Sequence, residues 1–390
     1  MNITPARLLG RPITDEDLRP SGNILTIVRL ILAASVIFSH AFLLTRFPDT
    51  HFIDPSLAVL PFSVSRLAVF LFFTLSGFLV SASLIHRGAG EFLLARAVRV
   101  VPGLYVMLFV TTLLLGLVAG DLPFGDYLRS ASVRAFLGHH LLLRNGVTDL
   151  AGVFTHNPST SVNVSIWTIP YEVKCYLLLV LAGVAGVLRH RRILLAAITV
   201  TVVVNVAIDA DYESFLKTLP TMAVAFAIGV AMFVWRDRLR LSWPIALAGV
   251  ALTLVLPTGR VTASIAQFTF GYAALVASIC VPAAWKRWSA RRSDYSYGIY
   301  IYAFPAQQAA IALGIGTTPY ANMATGFAIA LPFAIASWHF IEKPALSLKP
   351  VVSRRAAAWH AAYRRREPFA RRAGARLFER FRRAGRSGEQ

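Results

Sequence analysis

Charge is scarce in this sequence, and acid is the scarcest part of it. Of 390 residues only 15% are charged, and 19 Asp and Glu stand against 39 Lys and Arg, a formal net charge of +20. A soluble chain of this length carries more charge and fewer unbroken apolar runs, so a soluble two- or three-domain protein is excluded. Cysteine is nearly absent as well. Cys175 and Cys280 both lie inside apolar segments, which excludes a disulfide framework. No metal site is expected, because the histidines show no ligand spacing. A cleavable leader is not expected either: the residues up to Asn23 are polar, and the first apolar run is too long and lacks a small-x-small site. Nor is there a repeat of the kind that marks an inverted-repeat transporter.

What is present in quantity is hydrophobic sequence, with a mean hydropathy of +0.60. The apolar runs predict an all-α polytopic membrane bundle of about ten transmembrane helices, at about 24–44, 62–85, 101–119, 166–188, 193–208, 215–235, 243–256, 263–284, 295–315 and 320–341. Arg and Lys cluster after the second, fourth, sixth and eighth spans, while the other connections are neutral, mixed or acidic (Asp49, Asp54, Asp209, Asp211, Glu213). That alternation puts both termini in the cytoplasm. It also accounts for the positive charge, so no nucleic-acid partner is expected; membrane lipid is. The organisation reads as a short cytoplasmic arm over 1–23, a membrane domain over 24–344 and a basic cytoplasmic tail over 345–390, which holds thirteen Lys and Arg from Lys349 to Arg386. The tail suits a segment lying loosely against anionic lipid.

The first span, Ile24–Leu44, carries two groups that hydrocarbon rejects, Arg29 and His40. At about 100° per residue their spacing is roughly three turns plus 20°, so both leave one face, with a rise of roughly 16 Å between them. An ionisable residue at such depth is a candidate functional group; the plainer alternative is a buried histidine bonded to a neighbouring helix. Arg96 and Arg99 share a helical face at the inner mouth, either as topology determinants or as a binding pair. Ser76-Gly77 allows a close backbone approach. Glu172 sits about two turns into the fourth span, behind Trp167 and Pro170, and its alternative role is a carboxylate favoured by the helix dipole. Trp167 and Tyr171 suit sugar stacking or, equally, an interfacial belt. His139, His140 and His156 read as solvated or acceptor-facing residues of the outer loop, and the apolar run around His139 as a surface or re-entrant helix. Glu342-Lys343-Pro344 reads as the structural end of the last span.

Taken together, several of these segments resemble one family. Arg29 and His40, Ser76-Gly77-Phe78-Leu79, Arg96-Ala97-Val98-Arg99, Ser165 through Glu172, Tyr297-Gly298-Ile299-Tyr300 and Ile341-Glu342-Lys343-Pro344 occur in the order found in the acyltransferase-3 family of integral membrane acyltransferases, across about Asn23–Pro344. The resemblance implies a bacterial-type inner-membrane O-acyltransferase, without the extracytoplasmic esterase-like domain of some relatives. Such an enzyme moves an acyl group, commonly acetyl, from cytoplasmic acyl-CoA to a hydroxyl of a polysaccharide, lipid-linked sugar or other glycoconjugate. Acyl-CoA is then a co-substrate, and no bound cofactor is expected. Arg29, Arg96 and Arg99 become donor-binding candidates, since guanidinium forks suit phosphates. The rise from Arg29 to His40 is close to the reach of a pantetheine arm. His40 and Glu172 become catalytic candidates, with His40 either a general base or the acyl carrier, and Trp167 and Tyr171 acceptor-binding ones. The rival reading is a proton-coupled transporter or flippase using His40 and Glu172 as a relay.

Overall fold

The computed structural model describes residues 10–45, 54–207, 215–257 and 259–348. It is an all-α membrane helix bundle. In chain order its helices are α1 (Leu25–Leu44), α2 (Val64–Arg87), α3 (Ala89–Val118), α4 (Phe124–Arg129), α5 (Ala131–Leu141), α6 (Ile169–Val184), α7 (Arg191–Ala207), α8 (Phe215–Val234), α9 (Trp243–Val255), α10 (Arg260–Ile279), α11 (Ala283–Ala290), α12 (Ser296–Ala312), α13 (Pro319–Ala336) and α14 (Lys343–Ser347). Among the described residues, six helical stretches are long and apolar enough to cross a membrane, including Leu25–Leu44, Val64–Arg87 and Ala89–Val118. Each apolar run expected as a span is helical. The acidic connection at Asp209, Asp211 and Glu213, Asp49, and the tail from Lys349 lie outside the described residues, so their expected roles are not addressed by the fold.

Local chemistry sets the breaks. Ser63 caps α2 by accepting from Arg66 N. Gly88, at φ +78°, ends α2 and opens α3 in one step, a conformation that favours glycine. The third span, expected from about 101, begins earlier, at Ala89, and Pro102 lies inside α3. Arg96 and Arg99 therefore stand on a continuous helix, not in a loop. The last span does not end as a simple stop either. Ser337–Glu342 forms a π-helical turn between α13 and α14. The additional residue rotates the succeeding side chains by about 100° relative to a continuous α-helix, and Glu342 is left 1% exposed.

Close backbone approach holds the central helices together. A Cβ added at Gly77 would lie 2.2 Å from Phe226 O, and one at Gly229 would lie 1.9 Å from Thr74 O, so α2 and α8 meet through glycine on both sides. A Cβ on Gly298 would lie 2.7 Å from Ala334 Cα, which joins α12 to α13 in the same way. The long connection between α3 and α6 folds over one end of the bundle and is tied to α12. Gln308 Nε2 donates to Ser159 O and Ser161 O at 2.8 and 2.6 Å, and Asn163 Nδ2 donates to Ile301 O at 2.8 Å. At the other end, strand β1 (Arg11–Pro12) pairs with β2 (Arg240–Leu241). Asp17 is held there by Arg11 at 2.7 Å, so the described part of the arm is pinned to the bundle.

Replacing Gly77 by Val is expected to destabilise the bundle by about 1–3 kcal/mol through overpacking. A midpoint of thermal unfolding in detergent lowered relative to the unsubstituted protein is the measurement that checks it.

Candidate functional site

A cavity of about 120 Å³ opens between α1, α2, α3, α6 and α12, and its lining includes Arg29, Arg96, Arg99, Ser76, Glu172 and Tyr176. Its lining combines a network of guanidinium and carboxylate groups with a further carboxylate, hydroxyls and aromatic rings.

In the charged network, Arg29 Nη1 meets Asp294 Oδ2 at 2.7 Å, and Arg99 Nη2 meets the same oxygen at 2.8 Å. Arg99 Nη1 reaches Glu342 Oε2 at 2.9 Å. The second Asp294 oxygen accepts from Ser296 Oγ at 2.5 Å, and the second Glu342 oxygen accepts from Ser337 Oγ at 3.0 Å. The Arg99 guanidinium also lies 5.7 and 5.6 Å from the ring centres of Tyr297 and Trp338. Burial works against charge on Asp294, but Arg29, Arg99 and the Ser296 hydrogen bonds outweigh it and hold the carboxyl below its ordinary pKa. Its contribution to stability is thus fully present above the ordinary carboxylate range and is lost as pH falls through the lowered value.

Two of the three arginines expected to bind a donor are therefore already paired with carboxylates. Arg96 is different. Its buried Nε has no hydrogen-bond partner among the described residues, and its guanidinium lies 6.0 Å from the Phe92 ring centre. Asp294 is the lone acid of a basic connection, WKRWSARRSD. That isolation is the signal the sequence offered for it. Glu342, expected to be only a structural terminus, is corrected to a buried member of the network, because the π turn carries it inward.

Elsewhere in the lining, Glu172 sits in the first turn of α6 behind Pro170. Tyr176, one turn on, donates its hydroxyl to Glu172 Oε1. Ser76 Oγ lies 3.5 Å from that oxygen and 3.3 Å from Tyr176 Oη. Tyr300 Oη donates to Ser165 O at 2.8 Å, so the Thr168 hydroxyl 2.8 Å away is the donor to Tyr300. The Phe72 ring stands edge-on to Tyr300 at 5.9 Å.

His40 is not among the lining residues. Its ring stands edge-on to Phe304 at 5.2 Å, and its Nδ1 is buried without a partner among the described residues. Phe304 is one turn beyond Tyr300 on α12, so His40 lies about one helical turn past Tyr300. Arg29 and Glu172 thus share the cavity while His40 adjoins it. Trp167 and Tyr171 do not line it; their rings meet each other at 5.9 Å, and Lys174 Nζ lies 4.8 Å over Tyr171. His140 is not solvated as expected but 5% exposed, its Nε2 bonded to Val147 O at 2.8 Å against the Phe136 ring. Burial pushes that imidazole below its ordinary pKa, with the Val147 bond opposing the shift. His139 pairs with Asn145 O at 3.4 Å, whereas His156 is exposed.

A family model described as an acyltransferase domain matches residues 23–339. The chain is 28% identical over 342 residues to a protein named O-acetyl transferase from Shigella phage Sf6, covering 82% of this chain and 95% of that one. It is also 28% identical over 366 residues to a protein named Nodulation protein 10 from Rhizobium leguminosarum bv. viciae, covering 85% of this chain and 96% of that one. No solved structure matches the chain.

Arg99→Ala strips Glu342 of its cation and is expected to cost about 3–5 kcal/mol, the scale for orphaning a buried charge. Adding Glu342→Gln to that variant should restore part of the loss, as read by thermal unfolding of the two singles and the double.

Proposed function

The chain belongs to the acyltransferase family whose domain it matches over residues 23–339, and from that premise we propose that it is a membrane O-acetyltransferase. It takes acetyl from cytoplasmic acetyl-CoA and delivers it to a hydroxyl of a polysaccharide, lipid-linked sugar or other glycoconjugate. The name of the phage Sf6 relative supports acetyl as the group moved. The enzyme resides in a bacterial-type inner membrane, crosses it about ten times and keeps both termini in the cytoplasm. Residues 24–344 form the catalytic unit, between the arm at 1–23 and the basic tail at 345–390.

The observation that carries this reading is that one cavity brings three arginines together with Glu172, Ser76 and Tyr176. Arg96, with a buried donor free, is the residue that meets donor phosphate first. Arg29 and Arg99, neutralised and held in place by Asp294 and Glu342, shape the mouth and leave Arg96 as its uncompensated cation. Beyond the cavity, His40 takes the proton from the acceptor hydroxyl as its oxygen attacks the thioester carbonyl. The carbon–sulfur bond then breaks, and the CoA sulfur leaves with a proton returned by the imidazolium. Glu172, held by Tyr176 and Ser76, orients the incoming hydroxyl. Trp167 and Tyr171, which meet each other beside the cavity, serve the acceptor only as a wall next to its path. A transporter or flippase built on His40 and Glu172 would release no CoA.

Steady-state transfer of labelled acetyl from acetyl-CoA tests the assignments. Arg96→Ala is expected to raise KM for the donor roughly 10- to 150-fold, the loss of about 1.5–3 kcal/mol from one charge-assisted contact, with kcat little changed. His40→Ala is expected to abolish transfer while the protein still folds and inserts. Near-normal transfer by His40→Ala, or an unchanged donor KM in Arg96→Ala, overturns the corresponding role.

A further inference from the structure

Two buried polar atoms on facing helices find no hydrogen-bond partner among the described residues. His40 Nδ1 on α1 is one, and Gln307 Oε1 on α12 is the other. Gln307 is 0% exposed. Its Nε2 donates to Ile37 O at 2.9 Å and to Asn322 Oδ1 at 2.9 Å. A backbone carbonyl only accepts, so the amide end that faces Ile37 is the nitrogen and the atom left over is the oxygen. Asn322 Nδ2 donates in turn to Gln307 O at 3.0 Å and Gly316 O at 3.1 Å, which locks the pair. The stem has no room to swing: a Cβ on Gly326 would lie 2.4 Å from Gln307 Cγ.

The levels of the two groups agree. α1 and α12 run in the same direction, since Arg29 and Asp294 meet at one end and His40 and Phe304 further along. Gln307 is three residues beyond Phe304, and its side chain points back toward its helix N-terminus, as helical side chains do. It thereby touches Ile37, which is three residues before His40. The imidazole, leaning back from His40 against Phe304, comes to the same height. Asp54, which meets α1 at Ser39, is taken up by Ser39 and Ser56.

We propose that Gln307 is a positioning residue for His40. Its Oε1 accepts the Nδ1 proton of the imidazole across one water molecule, which takes that proton's hydrogen bond and donates to Oε1. That fixes the tautomer with the proton on Nδ1 and leaves Nε2 unprotonated toward the acceptor hydroxyl. The clamped amide dipole also stabilises the imidazolium formed when Nε2 takes the proton. Asn322 and Gly326 serve the same end by holding the amide. This inference rests on the reading of His40 as the base.

The test uses the full-length protein in lipid nanodiscs. In histidine-labelled protein, 15N spectra with the His40 signals assigned by their loss in His40→Gln are expected to show Nδ1 protonated and Nε2 free. Gln307→Leu should mix the tautomers, lower kcat by about tenfold or more out of the roughly 10²–10⁴ that a positioned base supplies, and leave donor KM unchanged. Its acidic pH limb should move to lower pH, because the imidazolium has lost an acceptor. Gln307→Glu keeps an acceptor oxygen on the same stem but loses the Nε2 donors, and is expected to retain the tautomer and more activity than Leu. An unaltered tautomer and pH limb in folded Gln307→Leu overturns the proposal. So does a Gln307→Glu protein as damaged as Leu with the His40 signals unmoved, which assigns Gln307 to packing alone and decides the case if the Leu variant fails to fold. Full transfer by His40→Ala instead removes the functional reading itself, while the tautomer spectra still report whether Gln307 holds the ring.

Discussion

The Arg99 guanidinium is the point on which the site depends. It reaches Asp294 ahead of α12 and Glu342 in the π turn after α13, and through Asp294 it is joined to Arg29 on α1. Four separate parts of the chain are thereby tied together at the cavity. Isolated charges at this depth are costly, and the network answers that cost with opposite charge and hydroxyl donors on both carboxylates. Its two cations are balanced by its two anions. Arg96, one turn before Arg99 on the same helix, is left as the group with an unanswered donor.

Much of the architecture was legible because membrane insertion leaves plain marks. Long apolar runs, alternating basic connections and the glycine at 77 follow from hydrocarbon solvation and helix geometry, and each run folds as a helix. The shared face of Arg29 and His40 was legible too, as far as local periodicity reaches. Partners distant in the chain were not. Nothing near Arg99 announces Asp294 or Glu342, which come from segments hundreds of residues away. The inward turn of Glu342 requires a π turn that composition does not mark. Pro102 reads as a helix opening by local rules, yet packing carries α3 through it. His140 reads as solvated or acceptor-facing because it stands in a connection between spans, while its fold neighbours are Phe136 and the Val147 carbonyl.

The amide groups show the same limit from the other side. Gln307, Gln308 and Asn322 stand in apolar sequence and look like tolerated polar residues. In the fold each is 0% exposed and spends its donors on backbone carbonyls or on another buried amide. Gln308 secures the long connection between α3 and α6, whereas Gln307 and Asn322 make a rigid pair against Ile37 of α1. Most buried amides find a partner for each polar atom. The oxygen left over on Gln307 lies on the helix that faces His40, and its proposed role is there.

The central claim is that donor enters on the arginine side and acetyl leaves on the other, with CoA never crossing. Sealed vesicles holding the protein in one orientation, supplied with labelled acetyl-CoA on one side at a time, measure this most directly. The account predicts CoA release only when donor is on the side of Arg96, with label appearing on acceptor facing the opposite side. Equal consumption of donor from both sides, or CoA found across the membrane, would contradict it.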